Sequence, residues 1–354
     1  MKKFWFVMGI LLCVGLAALA VFLVLSSVDL PSKETQPPVT TTAQTVATTE
    51  ATTEATTEAT TLATDPVVET TASAETTTPA EATEEEEDNP FLLDSHHAFV
   101  YDVTGDNMLY QMGGLYDRVY PASLTKLFTA LVVLEHMETT DTVTAGKEVE
   151  LIDPDSTRAY IYEGQTIAVG DCVKGMLMQS GNDAAYILAV ACGRVLAQDP
   201  ELEYTEALAV FIEEMNRAAR MAGLYDTQFR TPDGIHDEAH YTTMADLTSF
   251  CRLALENPLI RESCATATFS VTYVSGQKAQ WYNTNAQLME ESEYYNEYAI
   301  GLKTGTTNAA GACLLSAYDD GDSILLIGVL GAEEKPSRYT DTKKLFDVFF
   351  LPAA

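Results

Sequence analysis

The clearest feature of the hydrophobic pattern is a run of 22 apolar residues near the start of the chain, Phe4 to Leu25. A helix of that length crosses about 30 Å of hydrocarbon. Lys2 and Lys3 precede the run, and basic residues there favour a cytoplasmic N-terminus. The pattern predicts a transmembrane signal-anchor over residues 1–28. A cleaved signal peptide is the alternative, because Ala18-Leu19-Ala20 resembles a cleavage site.

The following segment, residues 29–90, has no hydrophobic periodicity. It repeats Thr, Ala, Glu and Pro, has almost no aromatic residues, and ends in an acidic run from Glu84 to Asp88. Such a composition buries too little apolar surface to offset the entropy of the chain. We therefore predict a disordered linker that acts as a spacer.

From residue 91 to residue 354 the pattern is typical of a globular domain. Alternating apolar positions predict strands, and apolar positions three and four residues apart predict helices. The predicted strands are Ala98–Val103, Met108–Gln111, Cys313–Tyr318 and Ile324–Leu330, and the predicted helices are Ser123–Glu138, Asp171–Met178, Ala184–Leu196, Ala207–Ala222 and Thr340–Phe350. Strands at both ends with helices between them indicate an α+β fold, in which helices and a helical lobe flank a sheet built from distant segments.

The amino-acid composition disfavours two classes of function. The formal net charge is −32, from 52 acidic and 20 basic residues, which disfavours nucleic-acid binding. None of the six cysteines forms a C-x-x-C pair, so a zinc ribbon is not expected. Cys13 lies in the apolar run, and the odd number of the others predicts buried thiols. A Cys172–Cys192 bridge stays open.

Three short motifs contain the candidate chemistry. The first, Ser123-Leu124-Thr125-Lys126, follows Pro121, a residue common at helix starts. If Ser123 opens the helix, Lys126 lies one turn along on the same face. A lysine whose pKa is lowered by burial can take the proton of a serine hydroxyl and create a nucleophile. Alone, the motif fits a helix cap and a surface lysine equally well.

The second motif, Ser180-Gly181-Asn182, falls in the break between two predicted helices, where a loop can present a hydroxyl and an amide to a cleft. The third, Lys303-Thr304-Gly305, is followed by Thr306. On an edge strand, alternation points Lys303 and Gly305 to one side, and the glycine lets a substrate backbone approach. Each motif alone fits an ordinary turn or strand end, so the specific signal is their order and combination.

Together the motifs resemble the signature of penicillin-binding proteins and serine β-lactamases. The chain from about residue 91 to residue 351 is similar to low-molecular-weight penicillin-binding proteins that act as D-alanyl-D-alanine carboxypeptidases. Further similarity lies in Thr231-Pro232-Asp233-Gly234, His240-Tyr241-Thr242-Thr243 and Asn283-Thr284-Asn285. The resemblance implies a β-lactamase/DD-peptidase-like fold with an antiparallel sheet. It also implies an enzyme that removes the terminal D-alanine from peptidoglycan stem peptides, with β-lactams as covalent inhibitors.

The resemblance also implies a role for each motif residue. Ser123 would attack the carbonyl between two D-alanines, Lys126 would accept the serine proton, and Ser180 would relay a proton to the leaving amine. The backbone N–H groups of Ser123 and Thr306 would form the oxyanion hole. The residues expected to bind substrate are Asn182, Lys303, Thr304, Gly305 and Thr306. No metal or cofactor is implied.

Two departures from the family pattern affect carboxylate binding and anchoring. Some relatives have an arginine between the two asparagines where this chain has Thr284, and Arg338, after the last strand, is a candidate for another carboxylate-binding arginine. Many relatives add a β-rich C-terminal domain and an amphipathic anchor, so the N-terminal helix is expected to anchor this chain. The expected location is the bacterial cell membrane, with a single pass and the catalytic domain outside the cytoplasm.

Other functions fit the sequence less well. His236 and His240 are four residues apart, but Asp237 stands where a zinc peptidase needs glutamate. A serine β-lactamase shares the fold, but Gly181 replaces the aspartate of its second motif, and no convincing glutamate motif is present. A non-catalytic wall-binding protein would not need all three motifs intact.

Overall fold

Strands from both ends of the folded region build the central sheet. The computed structural model describes residues 89–350. In that range the strands are β1 His97–Asp102, β2 Asn107–Met112, β3 Thr142–Thr144, β4 Thr166–Ala168, β5 Thr268–Thr272, β6 Lys278–Tyr282, β7 Ala299–Thr307, β8 Gly311–Asp319 and β9 Ile324–Ala332. The main sheet is antiparallel with the order β2-β1-β9-β8-β7, so β7 is an edge strand. β3 with β4, and β5 with β6, form two separate ribbons.

Helices cover both faces of this sheet. Their bounds are α1 Thr125–His136, α2 Val169–Met178, α3 Asn182–Ala197, α4 Tyr204–Met221, α5 Met244–Glu256, α6 Pro258–Ala265 and α7 Ser337–Phe349. Alternation along β1 sends Phe99 into the larger core, which includes residues from α1 to α6. It sends Val100 to the other face, where Leu345 and Phe346 of α7 pack. The sheet is therefore buried on both faces, between a helical lobe and α7.

The predicted α+β architecture is confirmed, with differences at the ends of elements. The helix predicted from Ser123 begins at Thr125, because Ala122–Leu124 forms a separate 3₁₀ turn. The last helix begins at Ser337 and not at Thr340. Helices α5 and α6 and the two small ribbons were not among the predicted elements. The position of Lys303 on an edge strand is as predicted.

The five cysteines among the described residues are buried and free, as predicted: Cys172, Cys192, Cys251, Cys264 and Cys313. The Cys172–Cys192 bridge that the sequence left open is therefore not formed. The predicted anchor and nearly all of the predicted linker lie outside the described residues. Within residues 89–350, no helix has the length and apolar character needed to cross a bilayer.

Candidate active site

Ser123 lies in the middle of the 3₁₀ turn that leads into α1. Ala122, just before it, has φ +48°, a left-handed conformation that is unfavourable for a residue with a side chain. Gly234 packs against this turn so closely that a Cβ atom there would lie 1.8 Å from the carbonyl oxygen of Ala122. A strained backbone that neighbouring segments hold in place is common at functional sites. The turn leaves the Ser123 side chain accessible from one side.

Lys126 lies directly beneath this serine. Its Nζ donates to Ser123 Oγ at 2.7 Å and to the carbonyl oxygen of Asp233 at 2.9 Å. The side chain is fully buried in the first turn of α1. Burial lowers the pKa of Lys126 to about 8, although the nearby carboxylates of Asp233 and Asp183 oppose the shift. Roughly a tenth of this amine is therefore neutral at pH 7 and able to accept a proton, far more than for a lysine in water.

The second motif forms a tight break between α2 and α3. Ser180 has φ +57°, and Asn182 is the first residue of α3. Thr157 fixes the break from outside, because its hydroxyl donates to the Ser180 carbonyl at 2.8 Å and its own carbonyl accepts from the Asn182 N–H at 2.9 Å. The Oδ1 atom of Asn182 is buried and has no hydrogen-bond partner within the described protein. A ligand N–H group would satisfy it.

Asp183 supports this break, a role that was not predicted from the sequence. Its carboxylate accepts hydrogen bonds from the backbone N–H groups of Ala159 at 2.7 Å and Ile161 at 2.9 Å. Tyr160, between them, is held at φ +62°. Burial raises the pKa of Asp183, and the backbone N–H groups act in the opposite direction. The contacts join the start of α3 to a loop more than 20 residues earlier, so no local pattern could reveal them.

The third motif lies along β7. Lys303 is buried, and its Nζ donates to the carbonyl oxygen of Thr304 at 3.1 Å. Burial, reinforced by the positive charge of Lys126, holds the pKa of Lys303 well below its usual range. The hydroxyl groups of Thr304 and Thr284 are hydrogen bonded at 2.7 Å. Thr284 stands where some relatives have an arginine. In this chain the residue at that position is therefore an uncharged hydrogen-bond partner of β7.

Gly305 brings β7 against the nucleophile turn. A Cβ atom at this position would lie 3.1 Å from the Pro121 carbonyl oxygen and 3.3 Å from the Ser123 nitrogen. The sequence predicted that this glycine makes room for a substrate backbone. In the structure its first consequence is the close contact between the strand and the turn. The backbone of β7 is therefore beside the N–H group of Ser123.

Arg338 reaches the same region from the start of α7. Its Nη1 donates to Thr306 Oγ1 at 3.1 Å and to the carbonyl oxygens of Gly305 at 3.3 Å and Cys313 at 3.4 Å. The side chain is largely buried, and its Nε has no partner within the described protein. The arginine supplies a fixed positive charge at the end of the third motif.

These residues surround one cleft with a volume of about 660 Å³. Seven of the nine predicted site residues line it: Ser123, Ser180, Asn182, Thr304, Gly305, Thr306 and Arg338. Lys126 and Lys303 are buried next to it. Three carboxylates, those of Asp153, Asp155 and Asp233, line the cleft together with the cations Lys335 and Arg338. The presence of Asp153 and Asp155 in the cleft was not predicted from the sequence.

The two histidines that were considered for a metal have separate surroundings. His236 lines the cleft and contacts the ring of Tyr120 edge-on. His240 is buried, and its Nε2 is 3.0 Å from Thr125 Oγ1 in the first turn of α1. Burial lowers the pKa of His240 to about 4, so the ring is neutral and suited to this contact. His240 thus helps to hold the nucleophile helix.

The geometry is suited to acyl transfer on a peptide. The cleft combines a serine with an adjacent buried amine, an unpaired amide oxygen that can accept a peptide N–H, and a cation next to two threonine hydroxyls that can bind a carboxylate. The serine hydroxyl is the accessible nucleophile among these groups. A peptide that ends in a free carboxylate matches this set.

Comparisons with known proteins agree with this chemistry. The D-alanyl-D-alanine carboxypeptidase family matches residues 81–334. A D-alanyl-D-alanine carboxypeptidase of Streptomyces sp. strain K15 is 29% identical over 237 residues, which are 64% of this chain and 78% of the relative. The D-alanyl-D-alanine carboxypeptidase DacF of Bacillus subtilis is 26% identical over 239 residues, which are 66% of this chain but only 57% of that relative.

Solved structures show the same fold. The Streptomyces K15 DD-transpeptidase superposes with a TM-score of 0.64 at 27% identity, covering 72% of this chain and 96% of that one. Penicillin-binding protein D2 of Listeria monocytogenes in its ampicillin-bound form gives a TM-score of 0.60 at 27% identity, covering 74% and 99%.

Proposed function

This chain belongs to the D-alanyl-D-alanine carboxypeptidase family, and we propose that it removes the terminal D-alanine from peptidoglycan stem peptides through an acyl-enzyme on Ser123. The observation that supports the proposal best is the 2.7 Å contact between Lys126 Nζ and Ser123 Oγ at the cleft. A serine hydroxyl needs such a base to become a nucleophile, and a buried lysine with a lowered pKa can provide it.

In the first step, the Ser123 oxygen bonds to the carbonyl carbon between the two D-alanines while its proton moves to Lys126. The oxyanion would be stabilised by the backbone N–H groups of Ser123 and Thr306. The close approach of Gly305, the neighbour of Thr306, to the Ser123 nitrogen supports this assignment. The C–N bond then breaks as the leaving amine receives a proton through Ser180, with the help of Lys303. Water attacks the ester and releases the shortened peptide and free Ser123.

Substrate orientation follows from the charges in the cleft. Arg338, with the hydroxyls of Thr304 and Thr306, would bind the terminal carboxylate of the substrate. The unpaired Oδ1 of Asn182 would accept a peptide N–H from the part of the substrate that stays on the enzyme. The scissile bond would then lie between these two contacts, next to Ser123.

Covalent inhibition by β-lactams is part of the proposal, because these compounds present a strained amide and a carboxylate to the same groups. A relative of this fold has been solved with ampicillin bound. A β-lactamase is less well supported, since the described residues that line the cleft include no glutamate to activate a deacylating water. We further propose that residues 1–28 anchor the chain in the bacterial cell membrane and that residues 29–90 space the catalytic domain from it.

The test uses the full-length protein in detergent. It is incubated with labelled penicillin, digested and analysed by mass spectrometry, and in parallel with a peptide ending in D-Ala-D-Ala. We expect a stable adduct on the peptide that contains Ser123, and release of D-alanine. The Ser123→Ala variant is the control and should give neither product.

Other outcomes would contradict the proposal in different ways. Fast hydrolysis of penicillin without a lasting adduct would indicate a β-lactamase. A folded protein that gives no adduct and no D-alanine would indicate a wall-binding protein without catalysis.

A further inference from the structure

A second cavity, rich in tyrosine, lies behind the wall of the catalytic cleft. It has a volume of about 610 Å³ and lies between the segment before β7 and helix α7. We call it the tyrosine groove and define it by six aromatic lining residues: Tyr294, Tyr295, Tyr298, Tyr318, Tyr339 and Phe346. None of the residues described as lining this groove also lines the cleft. The proposed catalytic steps use none of these aromatic rings.

Three of the six rings, those of Tyr318, Tyr339 and Phe346, are buried, and those of Tyr294, Tyr295 and Tyr298 are at least partly exposed. Tyr294 stacks on Tyr339 with ring centroids 4.7 Å apart and an angle of 13° between the planes. At the deeper end, Tyr318 and Phe346 have centroids 4.5 Å apart. Tyr295 is 45% exposed and stands at the open side of the groove. An aromatic side chain that stays exposed at a cavity combines a flat apolar face with a polar edge.

The polar groups around the rings decide what kind of ligand fits. Glu293, Glu297 and Asp347 line the groove together with one cation, Lys343, which is paired with Asp347 at 2.5 Å. The excess of negative charge disfavours anionic ligands, such as phosphate-containing polymers. Carboxylates accept hydrogen bonds from hydroxyl groups, and tyrosine faces pack against the C–H faces of sugar rings. The set is suited to a ligand that is rich in hydroxyl groups and carries no negative charge.

The groove is joined to the cleft through a short wall. The Tyr339 hydroxyl donates to the carbonyl oxygen of Thr284 at 3.2 Å and accepts from the Ala286 N–H at 3.1 Å. Thr284 lines the cleft, where its own hydroxyl is bonded to that of Thr304. Arg338, next to Tyr339 in the chain, lines the cleft as well. A ligand that fills the groove is therefore one residue layer away from the substrate.

We propose that the tyrosine groove binds the sugar rings of an oligosaccharide and that this contact directs the enzyme to peptides attached to glycan strands. The proposal rests on the proposed function, because peptidoglycan carries its stem peptides on such strands. The occupant is a neutral N-acetylated oligosaccharide. Tyr295 is the residue whose ring is most available to it.

The experiment separates the groove from catalysis. In the full-length protein, kcat/KM is measured for a free peptide ending in D-Ala-D-Ala and for the same peptide attached to a soluble glycan chain. Binding of the peptide-free N-acetylated oligosaccharide is measured by calorimetry. The variants are Tyr295→Ala and, as a matched control, Tyr225→Ala, which removes a tyrosine that is 79% exposed elsewhere on the surface.

We expect Tyr295→Ala to weaken oligosaccharide binding by a factor of about 2 to 10, which is the range for loss of one aromatic contact. It should lower kcat/KM for the glycan-linked peptide by a similar factor and leave kcat/KM for the free peptide unchanged. The control variant should change none of the three. Equal effects of Tyr295→Ala on both peptides, or unchanged oligosaccharide binding, would overturn the proposal. If the wild-type protein binds the oligosaccharide at Tyr295 but releases no D-alanine, the groove stands and the proposed function fails.

Discussion

The protonation state of Lys126 should control the rate at which Ser123 is acylated. The amine is 2.7 Å from the serine oxygen and must be neutral to take its proton. Burial lowers the pKa of Lys126 to about 8. Raising the pH through this value converts the ammonium to the amine, so the acylation rate should rise with pH and then level off above about pH 9.

The size of the effect follows from the pKa. With a pKa of about 8, the neutral fraction is about 1% at pH 6, about 9% at pH 7 and about 90% at pH 9. The second-order rate constant should therefore increase about 90-fold from pH 6 to pH 9. A lysine with the usual pKa of 10.5 would be only about 0.03% neutral at pH 7. The lowered pKa therefore supplies roughly a 300-fold gain in active base at that pH.

The same shift predicts an effect on stability. The pKa of Lys126 is lower in the folded protein than in the unfolded chain, so the unfolded chain binds more protons between about pH 8 and pH 10.5. The contribution of this residue to the free energy of unfolding should therefore rise with pH in that window, by about 3 kcal/mol in total, and be lost as the pH falls through 8.

The assay is acylation of the full-length protein by a fluorescent penicillin, timed at each pH from 6 to 9.5 and read on denaturing gels. Thermal unfolding at the same pH values confirms that the protein is folded throughout. Lys126→Arg is the informative control, because arginine stays charged at all these pH values and should leave the protein unreactive. An acylation rate that does not change between pH 6 and pH 9, or that still rises steeply at pH 9.5, would refute Lys126 as the base.

Two further predictions concern the supports of the nucleophile turn. Gly234→Ala places a Cβ atom 1.8 Å from the Ala122 carbonyl oxygen, so it should slow acylation at least about tenfold and lower the melting temperature. Gly223→Ala is the matched control, because Gly223 has nearly the same φ but no atom within 4 Å of its added Cβ. Equal effects of the two variants would exclude the contact with Ala122 as the cause. The pKa of His240 is about 4 in the folded protein and 6.5 in the unfolded chain, so the unfolded chain binds the proton first as the pH falls. This residue should therefore lower the free energy of unfolding by up to about 3 kcal/mol between pH 6.5 and pH 4. Urea unfolding at pH 7 and pH 4.5 should show a smaller loss for His240→Gln than for wild type, and parallel losses would contradict the assignment.

Local patterns were enough to predict the elements that contain two of the motifs. Ser123 and Lys126 are three residues apart, so one helical turn is enough to bring their side chains together. In the structure Lys126 Nζ lies 2.7 Å from Ser123 Oγ. The predicted helices around Ser180 are confirmed, because their apolar positions repeat with the helical period. These relations depend on residues that are close in sequence.

The remaining parts of the site depend on contacts between distant segments. The helix was expected to start at Ser123, but Gly234 and Gly305 pack on the preceding turn from two other parts of the chain and stabilise a 3₁₀ turn there. Asp183 holds the loop around Tyr160 by accepting hydrogen bonds from backbone N–H groups. Every residue type except proline has such a group, so the identity of the loop residues does not reveal the contact. Asp153, which also lines the cleft, comes from a loop with no regular hydrophobic pattern.

The pairing of β1 with β9 has a consequence for how the protein is made. β9 lies at the centre of the sheet, between β1 and β8, and the Ser95 backbone is bonded to Asp341, 246 residues further along the chain. Closing so long a loop is entropically unfavourable until most of the sequence is available, so topologies of this kind fold slowly. We expect a ribosome-bound or truncated chain that lacks β9 to have an open sheet, with β1 and β8 each presenting an unpaired edge to chaperones and proteases. The synthesis of β9 therefore decides when this enzyme becomes resistant to degradation.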